Sequence, residues 1–84
     1  MKKRWKKIRS TLLRDQAARK VRRLDTSQLM DWADRYAMGV GQSIEDYRRE
    51  GEGDQLREAQ RGAETLLGIL DVAVERLELR EKTG

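Results

Sequence analysis

The apolar residues in the last third of the chain recur at alternating steps of three and four residues, and this spacing constrains the fold more than any other feature. Residues spaced in this way lie on one face of an α-helix. The pattern predicts a helix over about residues 54–80. Its apolar face comprises Leu56, Ala59, Ala63, Leu66, Leu70, Ala73 and Leu77, with Leu67 and Val74 at its margin.

A second stretch with helical spacing predicts a helix over about residues 26–49. Asp25 and Gln28 have the spacing of a capping box at its start, with Leu24 and Leu29 placed for a hydrophobic staple. Its apolar face comprises Leu29, Ala33, Tyr36, Ala37, Val40, Ile44 and Tyr47.

Gly51 and Gly53 mark a short connection, so we expect these two helices to form an antiparallel hairpin. If the chain folds back on itself at residue 51 or 52, residues of the two helices whose numbers sum to about 103 lie side by side. In this alignment large side chains face small ones. The same alignment sets Gly41 level with Gly62, which predicts a close approach of the two backbones. We therefore add both glycines to the predicted seam, and interpret "GVGQSI" as a packing segment because Ile44 occupies the third glycine position of a phosphate-binding loop.

The charge distribution divides the chain into a basic arm, residues 1–24, and an acidic body, residues 25–84. The arm holds eleven Lys and Arg against Asp15 alone, a net charge of +10, whereas the body carries −6. Such asymmetry is typical of an interaction segment attached to a folded unit. We predict a basic helix over about residues 3–23, and so an all-α, three-helix arrangement.

The apolar residues of this first helix fall into two sets that do not share a face. Trp5, Ile8 and Leu12 form one set, and Leu13, Ala17, Val21 and Leu24 form the other. We expect the second set to pack on the hairpin and the first to contact something outside the fold.

Several apolar residues lie off the predicted seam: Met30, Trp32, Ile69, Val72 and Leu79. We expect some of them to receive the first helix and the rest to meet a second copy of the chain. With 37% hydrophobic residues and no Phe, a monomer has little core material, so we predict a homodimer that forms a larger bundle.

The residue types favour binding over catalysis. The chain has neither His nor Cys, which removes the commonest general base, the thiol nucleophile and the usual zinc ligands. We interpret the neighbouring carboxylates of this helix as a solvated face: Asp31 and Asp34, and Glu45 and Asp46. Arg35 follows Asp31 by one turn and Arg49 follows Glu45 by one turn, as in exposed helix ion pairs. We predict no catalytic residue, metal or cofactor. No apolar run approaches the roughly 20 residues of a membrane span, and a cytoplasmic location, with membrane association left open, is expected.

The basic arm is the predicted binding site, and three ligand classes remain open. The favoured class is nucleic acid, DNA or RNA, bound through phosphates with little sequence specificity. The alternatives are an anionic membrane surface and an acidic protein partner, and the latter would make the chain an adaptor or regulator. A further alternative is that the arm binds no ligand and serves as a solubilising tail. The predicted binding residues are Lys2, Lys3, Arg4, Trp5, Lys6, Lys7, Arg9, Arg19, Lys20, Arg22 and Arg23.

Overall fold

The structure is a computed structural model that describes the backbone of residues 2–83 and the side chains of residues 12–82. Three α-helices make up the described chain, which contains no strand: α1, Lys2–Val21; α2, Thr26–Glu50; and α3, Gly53–Thr83. The prediction of an all-α chain with three helices is confirmed. α1 ends two residues before the predicted boundary, because the chain turns at this point and the Leu24 N–H donates to the Val21 carbonyl at 3.0 Å.

Local side-chain chemistry fixes both ends of α2. The predicted capping box is present: Asp25 accepts from the Gln28 N–H at 2.8 Å, and the Gln28 amide oxygen accepts from the Asp25 N–H at 3.1 Å. Gly51 ends the helix in the left-handed region, at φ 71°, and its N–H donates to the Tyr47 carbonyl at 2.7 Å. This conformation favours glycine, since a Cβ would be strained there.

α3 is the central helix and packs against both of the others. Arg76 contacts Thr26, and Gly62 lies against Val40, so the residue numbers at these contacts decrease along α2 as they increase along α3. In contrast, Arg14 pairs with Asp71 and Arg22 with Glu75, so α1 runs in the same direction as α3.

The core lies where the three helices meet, and it is small. Leu29, Ile69 and Val72 are its only fully buried large side chains within the described residues, at 0%, 1% and 2% exposure. Ala18 and Val21 complete the buried cluster, and Ala17 and Ala59 are buried nearby. The second apolar set of α1 therefore packs on the other helices, as predicted, and Ile69 and Val72 receive it.

α2 is rotated relative to the predicted seam. Leu29, Ala33, Tyr36 and Val40 turn towards α3, whereas Ala37 and Gly41 are exposed. We attribute the rotation to the larger apolar area that Leu29, Tyr36 and Val40 remove from water in this orientation.

The other predicted seam positions divide in the same way. Ala59 is buried; Gly62, Ala63, Leu66 and Ala73 are half-buried; Ile44, Tyr47, Leu56, Leu70 and Leu77 are exposed.

The close approach of backbones occurs at a different glycine from the predicted pair. A Cβ built on Gly62 would lie 2.9 Å from Val40 Cγ2, but one on Gly41 would have nothing within 4 Å. A Cβ on Gly68 would overlap the Arg14 carbonyl oxygen and would lie 2.9 Å from Ala17 Cβ. The tightest helix contact described therefore joins α1 and α3, because Ala17 and Gly68 are small enough to let the two backbones meet.

Candidate nucleic-acid interface

The predicted binding residues of the basic arm fall into two groups along α1. The side chains of the first group lie outside the described residues: Lys2, Lys3, Arg4, Trp5, Lys6, Lys7 and Arg9. The second group, Arg19, Lys20, Arg22 and Arg23, lies at the end of α1 and in the turn after it, where side chains are described.

Three cations of the second group face solvent. Arg19, Lys20 and Arg23 are exposed, and no hydrogen bond or ion pair engages them within the described part of the chain. Arg22 differs, since its guanidinium donates to the Glu75 carboxylate at 2.6 and 3.5 Å. The structure therefore brings together three available positive charges and assigns the fourth to the contact with α3.

Arg14 was not among the predicted binding residues, and it has a structural role. Its Nε and Nη2 donate to the two Asp71 carboxylate oxygens at 2.6 and 2.7 Å, a bidentate pair. The Arg14 hydrogen bonds lower the pKa of Asp71, and the Asp71 hydrogen bond raises the pKa of Arg14.

A sequence signal for these pairs exists but is weak. Arg14, Ala18 and Arg22 are four residues apart, so they follow one edge of the α1 face that meets α3. Spacing could therefore indicate that two arginines flank a buried alanine. It could not identify Asp71 and Glu75, which are 57 and 53 residues away, as their partners.

A third arginine holds the turn between α1 and α2. Arg76 donates to the carbonyl oxygens of Leu24 at 2.6 Å and Arg22 at 3.2 Å, and to Thr26 Oγ1 at 3.3 Å. It thereby satisfies carbonyls in the turn after α1. These contacts fix the backbone from which Arg22 and Arg23 project.

The carboxylates of α2 lie on an exposed surface, but their partners differ from those predicted. Arg48 pairs with Glu45 at 3.3 Å and Arg49 with Asp46 at 2.5 Å, each across three residues. Hydrogen bonds from Gln42 and Arg49 lower the pKa of Asp46. Within the described residues, no group of three or more acidic side chains is placed to hold a metal ion.

Trp32 lies at the surface of α2 and is 39% exposed. Its ring stacks on Tyr36 with centroids 6.1 Å apart, and the Arg35 guanidinium lies 5.2 Å from the Trp32 ring centroid. Arg35 thus contacts an aromatic ring, whereas its spacing had predicted an ion pair with Asp31.

None of the helices, over the residues described, has both the length and the apolar character needed to cross a membrane. Comparison with protein-family models, with curated proteins and with solved structures finds no match.

Proposed function

We propose that this chain is a non-enzymatic binding protein whose α1 attaches to the phosphates of DNA or RNA with little sequence choice. In this proposal the hairpin of α2 and α3 supplies the folded body and the surface for self-association. The attachment is electrostatic, since Lys and Arg that neutralise phosphates release condensed counterions.

One observation carries the proposal: the described cations of α1 and of the turn after it form two groups, one paired with carboxylates and one unpaired. Arg14 and Arg22 turn towards α3 and pair with carboxylates, whereas Arg19, Lys20 and Arg23 remain exposed and unpaired within the described residues. The two inward pairs hold the helix so that the other three charges face outward together.

The negative charge of the body also favours attachment of a polyanion through α1. Residues 25–84 carry a net charge of −6, so a polyanion is repelled from the body and attracted to the arm. Attachment through α1 therefore places the body away from the nucleic acid.

The test is a titration with duplex DNA, RNA and anionic vesicles at about 50 mM and about 200 mM salt. The test variant is Arg19→Gln/Lys20→Gln/Arg23→Gln. The matched control, Arg48→Gln/Arg49→Gln/Arg57→Gln, removes three exposed arginines of the body and changes net charge equally.

The proposal requires that only the α1 variant weaken nucleic-acid binding. Each phosphate contact contributes about 0.9 to the slope of log K against log salt, so loss of three contacts should reduce the slope by nearly 3. Equal losses in the two variants would show that net charge alone controls binding, and salt-insensitive binding would overturn the electrostatic mechanism.

A second candidate function, attachment to an anionic membrane surface, is favoured by Leu12. This side chain is 51% exposed and lies two helical turns from Arg19 on the outer face of α1. In the sequence, Trp5 and Ile8 precede Leu12 at helical spacing, a pattern typical of interfacial helices. Leu12→Ser should then weaken vesicle binding and leave nucleic-acid binding unchanged.

A further inference from the structure

Trp32 is the one tryptophan whose side chain is described, and it lies at the surface of α2. It is 39% exposed and lies outside the buried cluster in which the three helices meet. A tryptophan side chain covers at most about 250 Å², so roughly 100 Å² of this residue contacts solvent. The exposed indole is therefore the largest aromatic contact surface among the described residues.

The edge of α2 that carries Trp32 is turned towards α1. Leu29 and Val40 face α3, and helical rotation places Trp32 about 60° to one side of Leu29. α1 packs on the face of α3 that includes Gly68 and Val72. Because α2 and α3 run in opposite directions, right-handed rotation turns the Trp32 edge to the same side of α3 as α1. Trp32 therefore faces the side of the molecule on which α1 lies.

The edge of α1 that points towards α2 is basic. Arg14 and Arg22 follow the other edge, and Arg14 pairs with Asp71 of α3. Asp71 lies on the side of α3 away from α2, because it is about half a turn out of phase with Gly62, which meets α2. Lys20 precedes Arg22 by two residues and so lies nearly opposite it on the helix. Lys20 therefore projects on the side of α1 that is turned towards α2.

Arg23 continues this basic edge in the turn after α1. The Leu24 N–H donates to the Val21 carbonyl at 3.0 Å, which keeps the turn close to helical geometry. Arg23 follows Lys20 by three residues, so the two side chains project to the same side. Both are exposed, and neither is paired within the residues that the structure describes.

Trp32 and Lys20 also lie at nearly the same level along the bundle. Contacts between α2 and α3 join residues whose numbers sum to 102, so Trp32 is level with Leu70. Contacts between α1 and α3 set Ala17 against Gly68. Lys20 is therefore within one helical turn of the level of Trp32. The fold brings together an exposed indole and unpaired cations from two different helices.

We infer that Trp32 stacks on an unpaired base while Lys20 and Arg23 contact the phosphates beside it, so that the chain binds single-stranded DNA or RNA in preference to duplex. This inference rests on the proposed function and names its ligand class. Every base has a π face, so an aromatic side chain beside cations binds single strands of any sequence. In a duplex the bases stack on one another, and their faces are closed to a side chain at the surface.

Arg35 and Tyr36 prepare the indole for a stacked ligand. The Arg35 guanidinium lies 5.2 Å from the Trp32 ring centroid, and the Tyr36 ring stacks on Trp32 with centroids 6.1 Å apart. These contacts hold the indole in one orientation, which reduces the entropy lost when a base binds. Guanidinium planes also stack on bases, so Arg35 supplies a second flat group and a positive charge beside the ring.

The carboxylates nearest to Trp32 along α2 do not cancel this positive charge. Asp25 caps the helix, where its side chain accepts from the Gln28 N–H at 2.8 Å. Asp31 is turned about 100° away from Trp32 around the helix. On the α1 side, Asp15 lies seven residues before Arg22 and so follows the edge that points away from α2.

The test compares Trp32→Leu with Trp32→Phe. Leucine keeps an apolar side chain but has no π face, whereas phenylalanine keeps one. Because Trp32 lies outside the buried cluster, we expect both variants to show full helicity by far-ultraviolet circular dichroism. Binding is measured with a labelled single strand of about 12 nucleotides and with the duplex of the same sequence, at about 0.1 M salt.

The wild type should bind the single strand more tightly than the duplex. Loss of one base stack should make Trp32→Leu bind the single strand about five- to 100-fold more weakly, with little change in duplex binding. Trp32→Phe should recover part of the loss. A Trp32→Phe variant as weak as Trp32→Leu, or an equal loss for single strand and duplex, would mean that Trp32 stacks on no base, and would overturn the inference.

Fluorescence gives a direct readout of the contact. Trp5→Phe leaves Trp32 as the only tryptophan of the chain, and a base stacked on the indole should quench its emission. We expect the single strand to quench Trp32 and the duplex to quench it much less. Binding of both forms without quenching, and with equal affinity, would overturn the inference and leave the proposed function standing. A chain that binds neither form at low salt would overturn both.

Discussion

Replacement of Gly68 by Ala tests the closest contact in the described structure. The new Cβ would overlap the Arg14 carbonyl oxygen and lie 3.1 Å from the Arg14 carbonyl carbon and 2.9 Å from Ala17 Cβ. Ordinary carbon contacts are about 3.5–4.0 Å, so α1 would have to move away by more than half an ångström. Rotation about side-chain bonds cannot relieve the clash, because the neighbours are backbone atoms and a Cβ.

The expected change in stability is the difference of two effects. Overpacking of this kind costs about 1–3 kcal/mol, and the contact with backbone places Gly68→Ala towards the upper end. Ala in place of Gly within a helix returns about 0.5–1 kcal/mol. We therefore expect a net destabilisation of about 2 kcal/mol, which lowers the melting temperature of a domain of this size by roughly 10 °C.

Gly39→Ala is the matched control. It makes the same chemical change in a helix, but its new Cβ meets nothing within 4 Å. The control should therefore be more stable than the wild type by about 0.5–1 kcal/mol. Urea and thermal unfolding at one fixed protein concentration measure both variants. If Gly68→Ala proves as stable as Gly39→Ala, α1 does not lie against α3 as described, and the reasoning from helix contact fails.

Three further changes probe other parts of the fold. Asp71→Asn should lower the melting temperature slightly at neutral pH. Arg14 depresses the pKa of Asp71 in the folded state, so the stability that the ion pair contributes is present above about pH 4 and is lost as acid protonates Asp71. The unfolding curves of the wild type and the variant should therefore converge in acid. Asp25→Ala removes the capping box with Gln28 and should cost about 1 kcal/mol in urea unfolding; no change would mean that water satisfies the end of α2 equally well. Leu29 is 0% exposed, so Leu29→Ala should lower the free energy of unfolding by about 2–5 kcal/mol, and a loss at the upper end would leave the chain largely unfolded by circular dichroism. A small loss of stability would place Leu29 outside the core.

Local sequence signals predicted the helices and the ends of α2 correctly. The Asp25–Gln28 capping box and the turn at Gly51 depend on residues within a few positions of each other, so spacing is sufficient to find them. The rotation of α2 could not be predicted in the same way. Its apolar residues are compatible with two overlapping faces, one through Tyr36 and Val40 and one through Ala37 and Gly41. The choice between these faces depends on total burial in the folded chain.

The candidate site was predictable as a region but not residue by residue. The charge imbalance identified α1 as the basic helix, and the exposure of Arg19, Lys20 and Arg23 agrees with that role. Which arginine turns inward depends on carboxylates more than 50 residues away, on Asp71 and Glu75 of α3. No spacing rule relates positions so distant in sequence.

The attachment of α1 to α3 has a consequence for the order in which the molecule opens. Within the described part of α1, the buried side chains are the small Ala17, Ala18 and Val21, and two partly exposed ion pairs join the helix and the turn after it to α3. Elements with few buried apolar contacts open at lower free energy than the rest of a domain. We therefore expect the amide hydrogens of α1 to exchange with solvent deuterium before those of α2 and the facing turns of α3, and faster as salt screens the ion pairs. The helix to which we assign the proposed polyanion site would then be the first part of the fold to separate from it.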